Sequence, residues 1–186
     1  MSNKKDMLRT YHQDSAYASP WSREQKVRML LWEVSWSLMC RWTPKPMNAW
    51  RLMWLKLHGA TIYGHPFVHQ RAKIAIPWHL ILHDRACLGD GATAYSLGEI
   101  ELMQDCTVAQ EAYLCTGTHD FTHPARPLQT GKIVIGKSTF VGARAFVMPN
   151  VTVGAGAVVG ACSVVTKDIA AGARVAGNPA REIIST

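Results

Sequence analysis

From Ile135 to Val165 an aliphatic residue recurs every six positions without a break: Ile135, Val141, Val147, Val153, Val159 and Val165. Four residues after each stands a mostly small or β-branched side chain, in the order Thr139, Ala145, Val151, Ala157, Ser163 and Ile169. Gly136, Gly142, Gly154 and Gly160 directly follow their aliphatic residues. An α-helical stripe repeats near 3.6 residues and a half-buried strand alternates every two, so neither element gives this spacing. Short strands joined by tight corners do. Three six-residue units make one triangular coil, and coils stack as a parallel β-helix with the aliphatic residue inside and the small one beside the corner. Glycines and Asn150 are expected at corners, where positive φ strains β-branched residues. Each buried aliphatic side chain is worth about 1.5–3 kcal/mol, so a coil is stabilised chiefly by its neighbours.

The same phase appears earlier in pieces. Ile62, Val68 and Ile74 form one run, Leu82, Leu88, Ala94 and Ile100 a second, and Leu102, Val108 and Leu114 a third. The phase slips by two residues between the first and second runs, and again between Ile100 and Leu102. It is then lost between Leu114 and Ile135, where residues 119–132 carry two prolines and no hexad pattern. That segment is expected to leave the prism as a loop, and loops on a rigid scaffold are where chemistry collects. The fold class expected is mainly β. A β-helix occupies 59–176 with an excursion loop at 119–132, preceded by an arm over 1–58 with two helices and followed by a tail over 177–186.

The first helix is signalled by Ser22-Arg23-Glu24-Gln25, which has the form of a capping box. Val27, Leu30, Leu31, Val34 and Leu38 follow at helical spacing and predict a single buried stripe. Thr43-Pro44 ends that helix, and Pro46 suits the first turn of a second, with Met47, Trp50, Met53, Trp54 and Leu57 on one face and His58-Gly59 as its stop. Six of the seven tryptophans fall in residues 21–54, so the arm must bury that surface on something. Two readings stand. The helices cap the open end of the first coil, or they meet an anionic membrane surface; a capping helix that presents Lys26, Arg28 and Arg41 outward satisfies both.

Charge divides the chain the same way. Residues 1–57 hold ten Lys and Arg against four Asp and Glu, whereas residues 58–186 hold ten against nine. The body has no basic stripe, which excludes a nucleic-acid reading of the high pI. Five cysteines, an odd number without C-x-x-C, read as reduced thiols packed in a cytoplasmic protein. The N-terminus lacks the apolar core of a signal peptide, and Val27 to Met39 falls short of a membrane span.

The hexads resemble those of the left-handed β-helix acyltransferases. Ala112-Tyr-Leu-Cys-Thr-Gly-Thr-His-Asp120, Val165-Thr-Lys-Asp168 and Ala176-Gly-Asn-Pro-Ala180 look like the sugar O-acetyltransferases, and most like the colanic acid biosynthesis acetyltransferases. The resemblance spans roughly residues 60–184, with a looser likeness around Ser19-Pro-Trp-Ser. It implies a left-handed coil and transfer of acetyl from acetyl-CoA, with no metal, to a sugar or glycan hydroxyl. It also implies a homotrimer that binds CoA between adjacent subunits. His119, the histidine of Thr-Gly-x-His, becomes the general base. An imidazole with an ordinary pKa near 6.5 suits that role, because an alcohol attacks a thioester only as its proton is removed. The resemblance places the pantetheine arm along Gly142, Ala143 and Ala161, with a backbone N–H near Gly142 or Ala143 for the oxyanion. Thr166, Lys167 and Arg181 fall at its nucleotide positions. Tyr95 and Ser96 mark the acceptor pocket, although many relatives have Asn where Ser96 stands. His123 and Asp120 are further acceptor candidates, Asp120 serving either to orient His119 or to turn the loop. Glu99 and Glu101 flank the second slip as surface carboxylates.

Competing readings of the same residues stay open here. His83, His119 and His123 form a nominal triad of the sort a γ-type carbonic anhydrase uses for zinc, although a slip falls between the first two. Another reading makes the β-helix purely a scaffold, in which case CoA does not bind. Serine and antibiotics are alternative acceptors.

Overall fold

The computed structural model describes residues 8–183, apart from 14, 16 and 17. Its body is a parallel β-helix of five full coils and a partial sixth. On the first face, the strands Thr61–Ile62, Leu80–Leu82, Ile100–Leu102, Ile133–Ile135 and Thr152–Val153 pair in parallel. Register stacks Ile62, Leu82, Leu102, Ile135 and Val153, and an isolated bridge extends the stack to Ile169. On the second face Val68, Leu88, Val108, Val141, Val159 and Val175 stack in turn. On the third, Ile74, Ala94, Leu114, Val147 and Val165 do. All six residues of the unbroken run are fully buried.

The irregularities of the sequence share one edge. Leu82 follows Ile74 by eight residues, Leu102 follows Ala94 by eight, and Ile135 follows Leu114 by twenty-one. All three connections leave the third face and enter the first. Ile100 and Leu102 are therefore not ends of separate runs. They lie on one strand and both point inward, as do Leu80 with Leu82 and Ile133 with Ile135.

The glycines serve two different needs. Gly156 has φ of 68°, as expected at a corner, and a Cβ there would meet nothing within 4 Å. Gly154 does not have positive φ. A Cβ on it would lie 2.5 Å from the Ala171 nitrogen of the next coil. Gly136 and Gly142 are equally tight, at 2.6 Å from Ala155 N and Ala161 N. The glycine after the aliphatic residue is thus required for close stacking of backbones, while φ is supplied elsewhere, often by ordinary residues such as Arg85, Arg144 and Cys162. Gly154→Ala should accordingly lower stability by about 1–3 kcal/mol through overpacking. Gly156→Ala should cost about 1–2 kcal/mol from the left-handed backbone alone. Denaturant unfolding separates the two when the unbranched pair Gly154→Met and Gly156→Met is added, because only position 154 lacks the space for a longer side chain.

In the arm, α1 (Arg23–Ser35) starts in the expected capping box: Gln25 N–H donates to Ser22 Oγ at 3.2 Å and Ser22 N–H to Gln25 Oε1 at 2.9 Å. It runs on into a π-helical turn, Trp36–Cys40. The expected buried stripe is a correction. Val27, Leu30, Leu31, Val34 and Leu38 are all exposed, and the helix docks instead through Trp32, Trp36 and Cys40. The tryptophans prevail because each offers more area and a donor: Trp32 Nε1 donates to Ile74 O at 2.7 Å and Trp36 Nε1 to Ala72 O at 3.2 Å. The second helix, α2 (Asn48–Leu57), lies across the first coil with Leu52 and Leu55 continuing the core. Asn48 both donates to Pro66 O and accepts from Val68 N–H. Arg51 is wholly buried between helix and coil, donating to Val68 O, Thr43 Oγ1, Pro44 O and Lys45 O at 2.8–2.9 Å. The arm caps the coil end that would otherwise expose unpaired backbone.

Candidate active site

The excursion begins at Thr116, whose buried hydroxyl donates to Tyr95 O at 2.6 Å and accepts from Gly98 N–H at 2.8 Å. It is a hairpin rather than an irregular loop. Gly117–His119 pairs antiparallel with Leu128–Thr130, and Arg9–Thr10 from the N-terminus adds a third strand. The base is clamped where the chain returns to the first face. Lys132 Nζ lies 2.7 Å from both Glu99 and Glu101, which gives those carboxylates a structural task. Ile76, Leu97 and Leu128 form a second small core beneath the hairpin, on the edge where the slips accumulate.

His119 ends the first hairpin strand with its ring exposed. Its Nδ1 lies 2.8 Å from Arg126 O. A carbonyl only accepts, so Nδ1 carries the proton in the neutral ring and Nε2 keeps its lone pair. This is the tautomer a general base needs. Asp120 turns the hairpin tip: its Oδ1 accepts from Thr122 N–H at 2.9 Å and from Thr122 Oγ1 at 2.6 Å. His123 also belongs to the tip, its Nδ1 accepting from Ala125 N–H at 3.1 Å.

Tyr95 is half-buried beside Gly117 and also lines a cleft of about 480 Å³ between α1 and the third face, with Trp32, Glu33, Arg41 and Lys73. Ser96 sits elsewhere. It is fully buried, its hydroxyl donating to Ile76 O at 2.8 Å and accepting from Ile76 N–H at 2.9 Å, so it braces the corner. Cys115, which sequence reasoning passed over, lies next to Tyr95 in the strand register. Burial pushes both the Cys115 thiol and the Tyr95 phenol above their ordinary ranges, so both stay neutral near pH 7.

The proposed cofactor residues fall in two groups. Gly142, Ala143 and Ala161 occupy the opposite edge, between the second and third faces. Gly142 N–H donates to Val159 O at 2.8 Å within the coil ladder, which leaves Ala143, half-buried, as the candidate oxyanion donor at that corner. Thr166, Lys167 and Arg181 come together in a cleft of about 450 Å³ at the C-terminal end, with Asp168 and Glu182 beside them. The γ-carbonic-anhydrase triad does not assemble. His83 pairs with Glu101 at 2.9 Å and stacks on Tyr63, while His119 and His123 have the separate partners above. Among the described residues no group of three His, Cys, Asp or Glu side chains could hold a metal ion.

Residues 132–167 match the family model of the bacterial transferase hexapeptide, six repeats. The chain is 37% identical over 163 residues to the "Putative colanic acid biosynthesis acetyltransferase WcaF" of Escherichia coli, covering 86% of this chain and 90% of that one. Its fold is shared by the acetyltransferase VCA0836 of Vibrio cholerae in complex with acetyl coenzyme A. That likeness has a TM-score of 0.80 at 20% identity and covers 100% of this chain and 98% of the other. A maltose O-acetyltransferase from Clostridium difficile 630 is similar, with a TM-score of 0.76 at 21% identity and coverage of 98% and 96%. The uninterrupted hexads, the clamped hairpin and these likenesses agree, and the chain belongs to the hexapeptide-repeat acetyltransferase family.

Proposed function

We propose that the protein transfers acetyl from acetyl-CoA to a sugar hydroxyl during exopolysaccharide or cell-surface glycan assembly, with His119 as general base. The observation that carries this reading is the Nδ1–H bond from His119 to Arg126 O, which leaves Nε2 free to accept a proton. The relative assigned to colanic acid biosynthesis supports the glycan setting, and the acetyl-CoA complex of the Vibrio protein supports the donor. The acceptor oxygen attacks the thioester carbonyl carbon while its proton passes to Nε2. The tetrahedral oxyanion accepts from Ala143 N–H, an interaction whose loss typically costs about 3–4 kcal/mol. The C–S bond then breaks and the imidazolium returns the proton to the CoA sulfur. Transfer is direct, from the thioester to the acceptor oxygen, with no acyl-enzyme intermediate. Tyr95 and the cleft beside it receive the acceptor, with His123 and Asp120 of the hairpin tip as further acceptor contacts. The pantetheine arm runs past Ala143 and Ala161, and Thr166, Lys167 and Arg181 hold the nucleotide end.

A single chain leaves the two halves of this site apart. His119 and Ala143 lie at opposite edges of the third face, which at about 3.3 Å per residue is roughly 15 Å wide. A second copy must therefore bring its corner to the hairpin of the first, and closed sharing of that kind gives a cyclic trimer. The reaction belongs in the cytoplasm, where acetyl-CoA is made, and among the described residues no helix is long and apolar enough to cross a membrane.

The test is CoA release from acetyl-CoA against a panel of sugars, nucleotide sugars and glycan fragments, with serine and chloramphenicol as contrasting acceptors. Acceptor-dependent release with a sugar is expected. Failure to bind CoA would leave only a scaffold, and turnover confined to serine or chloramphenicol would displace the sugar reading. In the same assay Lys167→Glu with Arg181→Glu should raise KM for acetyl-CoA at least tenfold with kcat little changed, because charge-assisted hydrogen bonds are worth about 1.5–3 kcal/mol each.

A further inference from the structure

Helix α1 is apolar on two opposite sides. Met29, Trp32 and Trp36 face the β-helix, and at about 100° per residue Val27, Leu30, Leu31 and Val34 lie on the far side. Those four side chains are 46–60% exposed, and Leu38 on the π-helical turn is 63% exposed. A helix apolar on both sides is normally covered on both. The feature is not scattered over the molecule. Among the described residues, ten of the fourteen exposed large hydrophobic side chains lie between residues 27 and 57, among them Trp42 at 67% and Leu57 at 70%. Trp50 Nε1 donates to Met39 O at 2.8 Å, which carries the apolar strip from the end of α1 onto the outer side of α2.

The surroundings of the strip point to its occupant. Between residues 20 and 57 the chain has seven Lys and Arg and only two acids, Glu24 and Glu33. Arg23, Lys26, Arg28, Arg41, Lys45 and Lys56 are exposed around the strip, Arg28 also stacking its guanidinium over the Trp78 ring at 4.1 Å. The rest of the chain is close to neutral, so this excess is local. A convex aliphatic ridge, edged by cations and carrying an exposed indole, matches an interfacial helix lying in the plane of an anionic bilayer. A second copy docked arm to arm would set these cations against each other, and its nearly neutral body offers them no opposite field.

We infer that the outer face of α1, continued by Trp42 and the outer side of α2, is a docking surface for an anionic phospholipid membrane. The tryptophan face holds the arm on the β-helix, and the opposite face holds the whole protein on the lipid. This inference does not depend on the acetyl-transfer reading.

The experiment is co-sedimentation of the full-length protein with sucrose-loaded vesicles of phosphatidylcholine, with and without phosphatidylglycerol. Binding to the anionic vesicles should exceed binding to the neutral ones at least tenfold and weaken by a similar factor between 0.1 and 0.5 M salt. Leu30→Ser, Leu31→Ser and Val34→Ser combined should abolish it. None of these residues lies in the tryptophan face that packs on the β-helix or in either cleft, so the unfolding midpoint and acetyl-CoA affinity of the variant should match the parent. No binding to either vesicle, or binding unchanged by the triple substitution, would overturn the inference. A triple variant that changes the oligomeric state, from a parent that ignores vesicles, would assign the strip to a second copy and overturn it equally.

Discussion

His119→Ala should lower kcat by about 10²–10⁴, the usual worth of a positioned general base. The fold should be untouched, because the ring is exposed and its hydrogen bond within the chain goes to the Arg126 carbonyl. That carbonyl lies near the exposed tip of a hairpin, where water replaces the lost donor at little cost. The hairpin itself is held independently, by the Arg9–Thr10 strand, the Gln13 side chain on Leu128 N–H and the Lys132 clamp. Acetyl-CoA affinity should therefore change little while turnover collapses. Single-turnover kinetics beside a CoA-binding titration separates the two. Wild-type turnover in a folded His119→Ala protein would remove the histidine from the mechanism.

The other large effect is expected at a position far from the chemistry. Arg51→Ala should destabilise the docked arm by about 2–4 kcal/mol, because it orphans the buried Val68 carbonyl, takes the donor from the part-buried Pro44 and Lys45 carbonyls and leaves a cavity where the side chain packed. Arg51→Lys should recover only part of the loss. One ammonium cannot reach Val68 O on one side and Pro44 and Lys45 O on the other as a planar guanidinium does. An early unfolding step in denaturant, seen by tryptophan fluorescence, with cleavage near Arg41 under limited proteolysis, would report the arm coming away. An Arg51→Ala protein as stable as the parent would mean that the leucines and tryptophans alone hold the cap.

How much was legible in the residues depended on whether local rules competed. The hexad run had no competitor: inward Val141 and Val159 stack where the spacing puts them, and each slip proves to be a two-residue insertion at one edge. The excursion was visible as a loss of period, but its hairpin was not. Its third strand comes from Arg9–Thr10, more than a hundred residues earlier, and no local pattern carries such a pairing. The face of α1 was misjudged because an aliphatic stripe reads as core. The indole N–H groups of Trp32 and Trp36, each finding a buried carbonyl, decided the docking instead. Ser96 carried no sign in sequence that its hydroxyl would be spent on Ile76. The holder of His119, Arg126 O, is a backbone atom and could not be named in advance. Thr166, Lys167 and Arg181, by contrast, do converge on one cleft.

The central claim is that acetyl transfer takes place where His119 of one copy meets the Ala143–Ala161 edge of another. Co-expression of His119→Ala with Ala161→Trp, under two affinity tags and purified through both, tests it directly. Ala161 is exposed, so the added indole blocks the pantetheine path without entering the core. Each variant alone should be nearly inactive. A cyclic trimer of mixed composition contains one junction with an intact His119 on one side and an intact Ala161 on the other, so it should recover about one third of wild-type turnover. Mixed oligomers no more active than the separate parents would place the whole site within one chain and contradict the account.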